Sequence, residues 1–208
     1  MSTRQASFTQ PLNFRAAPRT RDRSPSRFVL DCLRHVPSVH GNFALDLGCG
    51  IGRHARLLQS LGYSVLAIDA DPNALQIVRR IGTRSKLRSA GKAYPILADG
   101  KGRLPLRDGG LHLALAVHFP IQYNLAAVTA ALSPGGFLIF ESFGNRGMNW
   151  IELPRTGQLR SQLENDFDIL KLDERAAGPK NRRAVTVRLF ARKCAERPPL
   201  RQRIIRLL

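Results

Sequence analysis

Along this chain, short apolar runs alternate with segments whose apolar residues recur every three to four positions. Residues 42–47 (NFALDL) form a continuous apolar run of the buried-strand type, and 53–62 (RHARLLQSLG) follow as a helix with Ala55, Leu58 and Leu61 inward and Gly62 at its end. A second strand, 63–69 (YSVLAID), closes on Asp69. The next helix, 71–82, opens with Asp71 as a cap and Pro72 at its first position, and ends near Gly82. Residues 93–99 and 111–119 read as the third and fourth strands, and 121–132 as a helix broken by Ser-Pro-Gly-Gly at 133–136. A fifth strand, 136–143 (GFLIFESF), and a short helix near 155–164 lead to two last strands, 166–176 and 182–193, with Gly178 and Pro179 between them. Upstream, 27–36 predicts an entry helix with Phe28, Cys32, Leu33 and Val36 near one face, ended by Pro37. Repeated strand–helix–strand order predicts an α/β fold: a doubly wound, mostly parallel seven-stranded sheet with an antiparallel hairpin at one edge.

A length of 208 residues suits one full-sized domain. The net charge of +18 divides unevenly: residues 1–27 carry six Arg against Asp22, and residues 192–208 carry six basic residues against Glu196. The expected organisation is a basic, disordered N-terminal tail over 1–26, a domain over 27–193, and a basic C-terminal tail over 194–208. Such tails attract nucleic acid, acidic lipid or acidic protein without sequence preference, and they also serve as plain solubilising ends. A further cluster, residues 79–92, holds six basic residues and no acid; it is either a solvated helix end and loop or a weak nucleic-acid surface. Cys32, Cys49 and Cys194 match no zinc or redox spacing, which favours a reducing compartment and no metal site. No apolar run approaches the roughly 18 residues of a membrane span, and the N-terminus lacks a secretory core. Its Arg- and Ser-containing composition is similar to a transit peptide as well; cytoplasm is the location taken here.

Asp46-Leu47-Gly48-Cys49-Gly50-Ile51-Gly52 stands where the first strand meets the first helix of the alternation, and glycine there lets the backbone turn tightly and approach a ligand. A dinucleotide loop needs a third glycine at the sixth position from Gly48, where this chain has Arg53, and no phosphate-loop GKS or GKT occurs. An acid followed by three alternate glycines resembles motif I of the class I S-adenosylmethionine-dependent methyltransferases. Four further features agree with that family: Asp69 ending the second strand, Asp99 after the third, Leu104-Pro105-Leu106, and Leu132-Ser133-Pro134-Gly135-Gly136 before the fifth. The resemblance covers about residues 28–193 and implies a Rossmann-like sheet with S-adenosylmethionine as cofactor. It implies binding through Asp46, Gly48, Gly50 and Gly52, with Asp69 on the ribose hydroxyls and Asp99 on the adenine amino group. Residues 141–159 resemble a bacterial subgroup described as tellurite-resistance-like. Two departures stand out. Leu111-His112 replaces the usual Phe-Asp entering the fourth strand, and His118-Phe119-Pro120 lacks the signature of methylases acting on adenine or glutamine nitrogen.

By the same resemblance, His118, Phe119, Tyr123, Glu141 and Phe143 lie nearest the reacting methyl group. Methyl transfer from a sulfonium is an in-line displacement, so alignment supplies much of the rate and a base is needed only for a protonated acceptor. His118 either accepts that proton or caps a strand end. Glu141, at the end of an apolar strand, either meets the acceptor or pairs with an arginine. Residues 144–150, with Trp150, form either a lid over the acceptor or a loop whose Trp packs. The expected catalytic residues are His118 and Glu141, and the expected substrate contacts are Tyr123, Phe143 and Trp150. A small molecule or small ion is the expected acceptor. The rivals are an RNA or ribosomal methyltransferase, against which aromatic residues amount to only 7%, and a non-catalytic cofactor-binding module. The sequence leaves the oligomeric state open.

Overall fold

In the computed structural model, which describes residues 24–37, 41–82, 91–143, 154, 157–176 and 185–195, seven strands form one sheet. In chain order the elements are α1 (Arg27–Leu33), β1 (Phe43–Leu47), α2 (Arg53–Ser60), β2 (Ser64–Asp69), α3 (Pro72–Gly82), β3 (Ala93–Leu97) and β4 (Leu111–Val117). They continue with a 3-10 turn (Ile121–Tyr123), α4 (Leu125–Ala131), β5 (Leu132–Phe143), α5 (Gln158–Leu163), β6 (Phe167–Ala176) and β7 (Val185–Lys193). The sheet order is β3-β2-β1-β4-β5-β7-β6; β1 to β5 pair in parallel, and β7 runs antiparallel to both β5 and β6. Strand order reverses between β1 and β4, so a crevice opens at their carboxyl ends, where ligands bind in open sheets of this kind.

Two apolar layers flank the sheet. Ala44, Val65, Leu113, Leu115, Ile139 and Phe190 pack under α1, α2 and α3 through Phe28, Val29, Leu58 and Val78. Leu45, Ile68, Ala114, Leu138, Phe140 and Leu189 pack under α4 and α5 through Leu125, Val128, Leu159 and Leu163. This division explains the near-continuous apolar strands: successive residues point to opposite, equally buried faces. The cap expected on α3 is present, for Asp71 Oδ1 accepts the Asn73 N–H at 2.8 Å.

Three local expectations change. Leu61 is 40% exposed because α2 stops at Ser60 and the chain turns through Gly62 at φ 92°; His54 and Gln59 are buried instead. The segment expected as one helix over 121–132 splits at Asn124, whose side-chain amide donates to the Gly100 carbonyl. The Ser-Pro-Gly-Gly turn lies inside β5: Leu132 already pairs with Leu111, and the register then jumps to Leu113 opposite Phe137. A local irregularity in the ladder absorbs the extra residues, and the Ser133 hydroxyl ties it to the Leu111 carbonyl at 2.8 Å. Among the described residues no helix is long and apolar enough to cross a membrane.

Candidate cofactor and acceptor site

The loop after β1 is laid across the end of β2. The Gly48 and Cys49 N–H groups donate to the Ile68 carbonyl at 2.8 and 3.0 Å, and the Gly50 N–H donates to Asp69 Oδ2 at 2.7 Å. The other oxygen, Asp69 Oδ1, accepts the Asp71 N–H at 2.9 Å. One carboxylate thus fixes both the glycine loop and the start of α3. Gly48 has φ 70°, and a Cβ there would stand 2.7 Å from Phe119 Cδ2, so glycine is required twice over. Gly50 has φ 52° but a Cβ there would meet nothing within 4 Å; the backbone is bare on that side. Asp99 follows β3 on the surface, with its Oδ1 accepting the Lys101 N–H at 3.0 Å in a tight turn.

Asp46 is 1% exposed, and its Oδ2 has no hydrogen-bond partner. Burial pushes its carboxyl up to about 7; the Ala55 N–H and the Arg53 charge act downward, and Asp69 adds to the rise. A buried carboxylate oxygen with nothing to bind is costly and marks a place where a positive group would be welcome.

The acceptor side is built at the ends of β4 and β5. His118 is the one non-glycine residue with a left-handed backbone among those described, at φ 59°, and its N–H donates to the Glu141 carbonyl at 2.8 Å. Such a conformation is strained and clusters at functional sites. The imidazole keeps much of its surface open, yet desolvation first and the Arg53 charge second lower its pKa, against the Glu141 charge. It is therefore neutral at pH 7. The Glu141 carboxylate is buried, and both its oxygens are engaged: Oε1 accepts from Arg188 Nε at 2.8 Å and Oε2 from the Ser26 hydroxyl. Arg188 faces Glu141 directly across the β5–β7 ladder. Of the two roles the sequence leaves open for Glu141, the arginine pair is present.

Ser26 also donates its backbone N–H to His54 Nε2 at 3.1 Å. Burial, then the Arg53 and His118 charges, hold His54 down at about 3, so its ring is neutral and free to accept. Arg53 Nη1 donates to the Ser24 carbonyl at 3.4 Å. Residues 24–26 thereby cross from the start of α2 to the end of β5. Tyr123 is exposed in the 3-10 turn beneath the Lys101 ammonium and borders a groove along α4 that reaches Pro134 and Lys193. Phe143 ends β5 opposite Thr186; its side chain and all of Trp150 lie outside the described residues. The structure thus gathers Asp46, Gly48, Gly50, Gly52 and Asp69 around one loop and joins His118 to Glu141. Ser26, Arg53, His54 and Arg188 were not singled out from sequence. Arg53 and His54 directly follow the glycine loop, whereas Ser26 and Arg188 reach the site only through tertiary pairing.

Residues 44–136 match the family model of a methyltransferase domain. The chain is 29% identical over 140 residues to hemagglutinin 1 of Eikenella corrodens, covering 62% of this chain and 45% of that protein. It is 25% identical over 115 residues to the ubiquinone biosynthesis O-methyltransferase of Bordetella avium (strain 197N), covering 55% and 48%. The chain thus spans about half the length of these curated relatives. Among solved structures, a SAM-dependent methyltransferase from Methanosarcina mazei superposes with a TM-score of 0.61 at 18% identity, covering 83% of this chain and 100% of the other. TehB from Haemophilus influenzae superposes at 0.60 and 17%, covering 78% and 61%. Both share the fold. The chain carries a class I methyltransferase domain, a Rossmann-like sheet ending in an antiparallel pair. S-adenosylmethionine is the cofactor of that class.

Proposed function

We propose that this chain transfers the methyl group of S-adenosylmethionine to a small-molecule or small-ion acceptor. The observation that carries the reading is the glycine loop latched to Asp69, with the unpartnered Asp46 carboxylate oxygen behind it. Gly48, Gly50 and Gly52 would let the cofactor lie on the backbone. Asp69, whose two oxygens each keep a lone pair, would accept from the ribose hydroxyls, and Asp99 would meet the adenine amino group. When bound, the cofactor supplies the electrophilic methyl group. His118, held neutral and in its strained conformation by the Glu141 carbonyl, would take the proton of a protonated acceptor on its imidazole. Glu141 positions that histidine and, with Arg188 and Ser26, closes the wall beside it. Tyr123, Phe143 and Trp150 remain the proposed acceptor contacts.

Support for a small acceptor comes from residues 24–26, which cross the acceptor side and narrow the approach. The tellurite-resistance-like resemblance after β5 points the same way. Three free cysteines suit a cytoplasmic setting. Of the basic cluster, Arg79, Arg80 and Lys92 are exposed, so weak nucleic-acid binding through it and the tails is proposed as incidental; residues 83–90 lie outside the described part. Incubation with cofactor labelled in its methyl group and a cell extract separates the readings. Label is expected in a low-mass, nuclease-resistant fraction. Label in RNA, lost when Arg79 and Arg80 become Gln, would establish the RNA reading instead, and no transfer at all would favour a non-catalytic module.

A further inference from the structure

Arg53 is a half-buried cation beside the glycine loop that no carboxylate among the described residues pairs with. Its one hydrogen bond is the long contact of 3.4 Å to the Ser24 carbonyl. Its charge reaches the Asp46 carboxyl and the rings of His54 and His118, so the guanidinium stands between the cofactor loop and the end of β4. A partly desolvated arginine beside two imidazoles held neutral has strong reason to bind an anion. A few residues away lies the complementary defect: the Asp46 oxygen, buried and without a donor. One unmatched cation and one unmatched anion flank the same loop. Together they complement a zwitterion, and among the parts of S-adenosylmethionine only the amino-acid end is one. Its other polar parts, the ribose and adenine, are neutral and fall to Asp69 and Asp99 on the far side of the loop.

We infer that Arg53 binds the carboxylate of the amino-acid end of the cofactor, opposite the Asp46 oxygen that faces its ammonium group. Resting on the methyltransferase reading above, this fixes which way round the cofactor lies. The same guanidinium could equally take a carboxylate carried by the acceptor, and the probes must separate the two sources.

Calorimetry on the full chain with S-adenosylhomocysteine and with 5′-methylthioadenosine, which has the same nucleoside and no amino-acid end, does so without any turnover. The unaltered protein is expected to prefer S-adenosylhomocysteine. Arg53→Gln should weaken that ligand by about 10- to 100-fold, the effect of losing hydrogen bonds to a charged group, while leaving 5′-methylthioadenosine unchanged. Unchanged nucleoside binding also shows that the variant folds. Arg53→Lys, which keeps the charge and loses the fork, should fall between. Equal weakening of both ligands would overturn the inference, because Arg53 would then act through the fold. Undiminished S-adenosylhomocysteine binding by Arg53→Gln would overturn it as well and leave the arginine to the acceptor. Failure of the unaltered protein to bind either ligand is a separate result: it removes the methyltransferase reading itself, and the inference with it.

Discussion

Gly48→Ala is expected to abolish cofactor binding and to lower the stability of the unliganded protein by about 2–5 kcal/mol. Two effects add at this position. A left-handed backbone, here at φ 70°, costs an L-residue roughly 1–2 kcal/mol. The new methyl group would also stand 2.7 Å from Phe119 Cδ2, and overpacking of that kind costs about 1–3 kcal/mol. Phe119 cannot retreat easily, since its far edge already lies against Gly100, where a Cβ would come within 2.6 Å of the ring. Gly50→Ala is the instructive contrast. Its φ of 52° imposes the strain, but the methyl group meets nothing within 4 Å. Stability should fall by only about 1–2 kcal/mol, whereas S-adenosylhomocysteine affinity should be lost, because the methyl group occupies the bare side of the loop. Urea denaturation and calorimetry on both variants check this. Equal destabilisation, or intact binding by Gly50→Ala, would show that the ligand does not lie on this loop.

Asp46→Asn should change how stability depends on pH. In the folded protein the carboxyl titrates at about 7, against an ordinary value of 3.8. Between these values the folded state holds a proton that the unfolded chain has released, so this residue's contribution to stability falls as pH rises through the window. The penalty is absent below pH 4 and complete above pH 7, and three pKa units correspond to about 4 kcal/mol at most. His54 acts in the opposite sense. Its folded pKa of about 3 lies below the ordinary 6.5, so its contribution is present above pH 6.5 and lost as pH falls toward 3. In the unaltered protein the two groups partly offset each other across pH 4 to 6.5, where both windows overlap. The Asn variant removes one of them. Its stability relative to the unaltered protein should rise from pH 4 to pH 8 by about 2–4 kcal/mol, and its acid limb should steepen as His54 acts alone. Its affinity for S-adenosylhomocysteine should nonetheless drop by about 10- to 100-fold, because the ammonium group loses its anion. Parallel stability curves for the two proteins would contradict the assignment of a strained, charged Asp46 in the empty site.

Much of this fold was legible in the sequence. Strands β1, β2 and β4 are apolar runs because both their faces are covered. The hairpin of β6 and β7 followed from two strand-like segments with only a Gly-Pro connection between them. The glycine loop and Asp69 were legible too, since adjacent strands and a fixed spacing bring them together. What escaped depends on contacts between residues distant in the chain. Leu61 fits the apolar face of α2 by period, but the helix ends one residue before it. Glu141 read ambiguously as acceptor contact or ion pair until β7 was threaded between β5 and β6, which sets Arg188 opposite it. Ser26 reads as one more residue of a basic, proline-containing tail, and only its bonds to His54 and Glu141 make it part of a wall.

Titration of the full chain with S-adenosylhomocysteine and, in parallel, with NAD tests most directly whether the loop latched to Asp69 is the cofactor site. S-adenosylhomocysteine should bind and NAD should not, and Asp69→Ala should weaken the former by about 10- to 100-fold by freeing Gly50 and removing the ribose acceptor together. NAD binding of equal strength, or S-adenosylhomocysteine binding indifferent to Asp69→Ala, would contradict it.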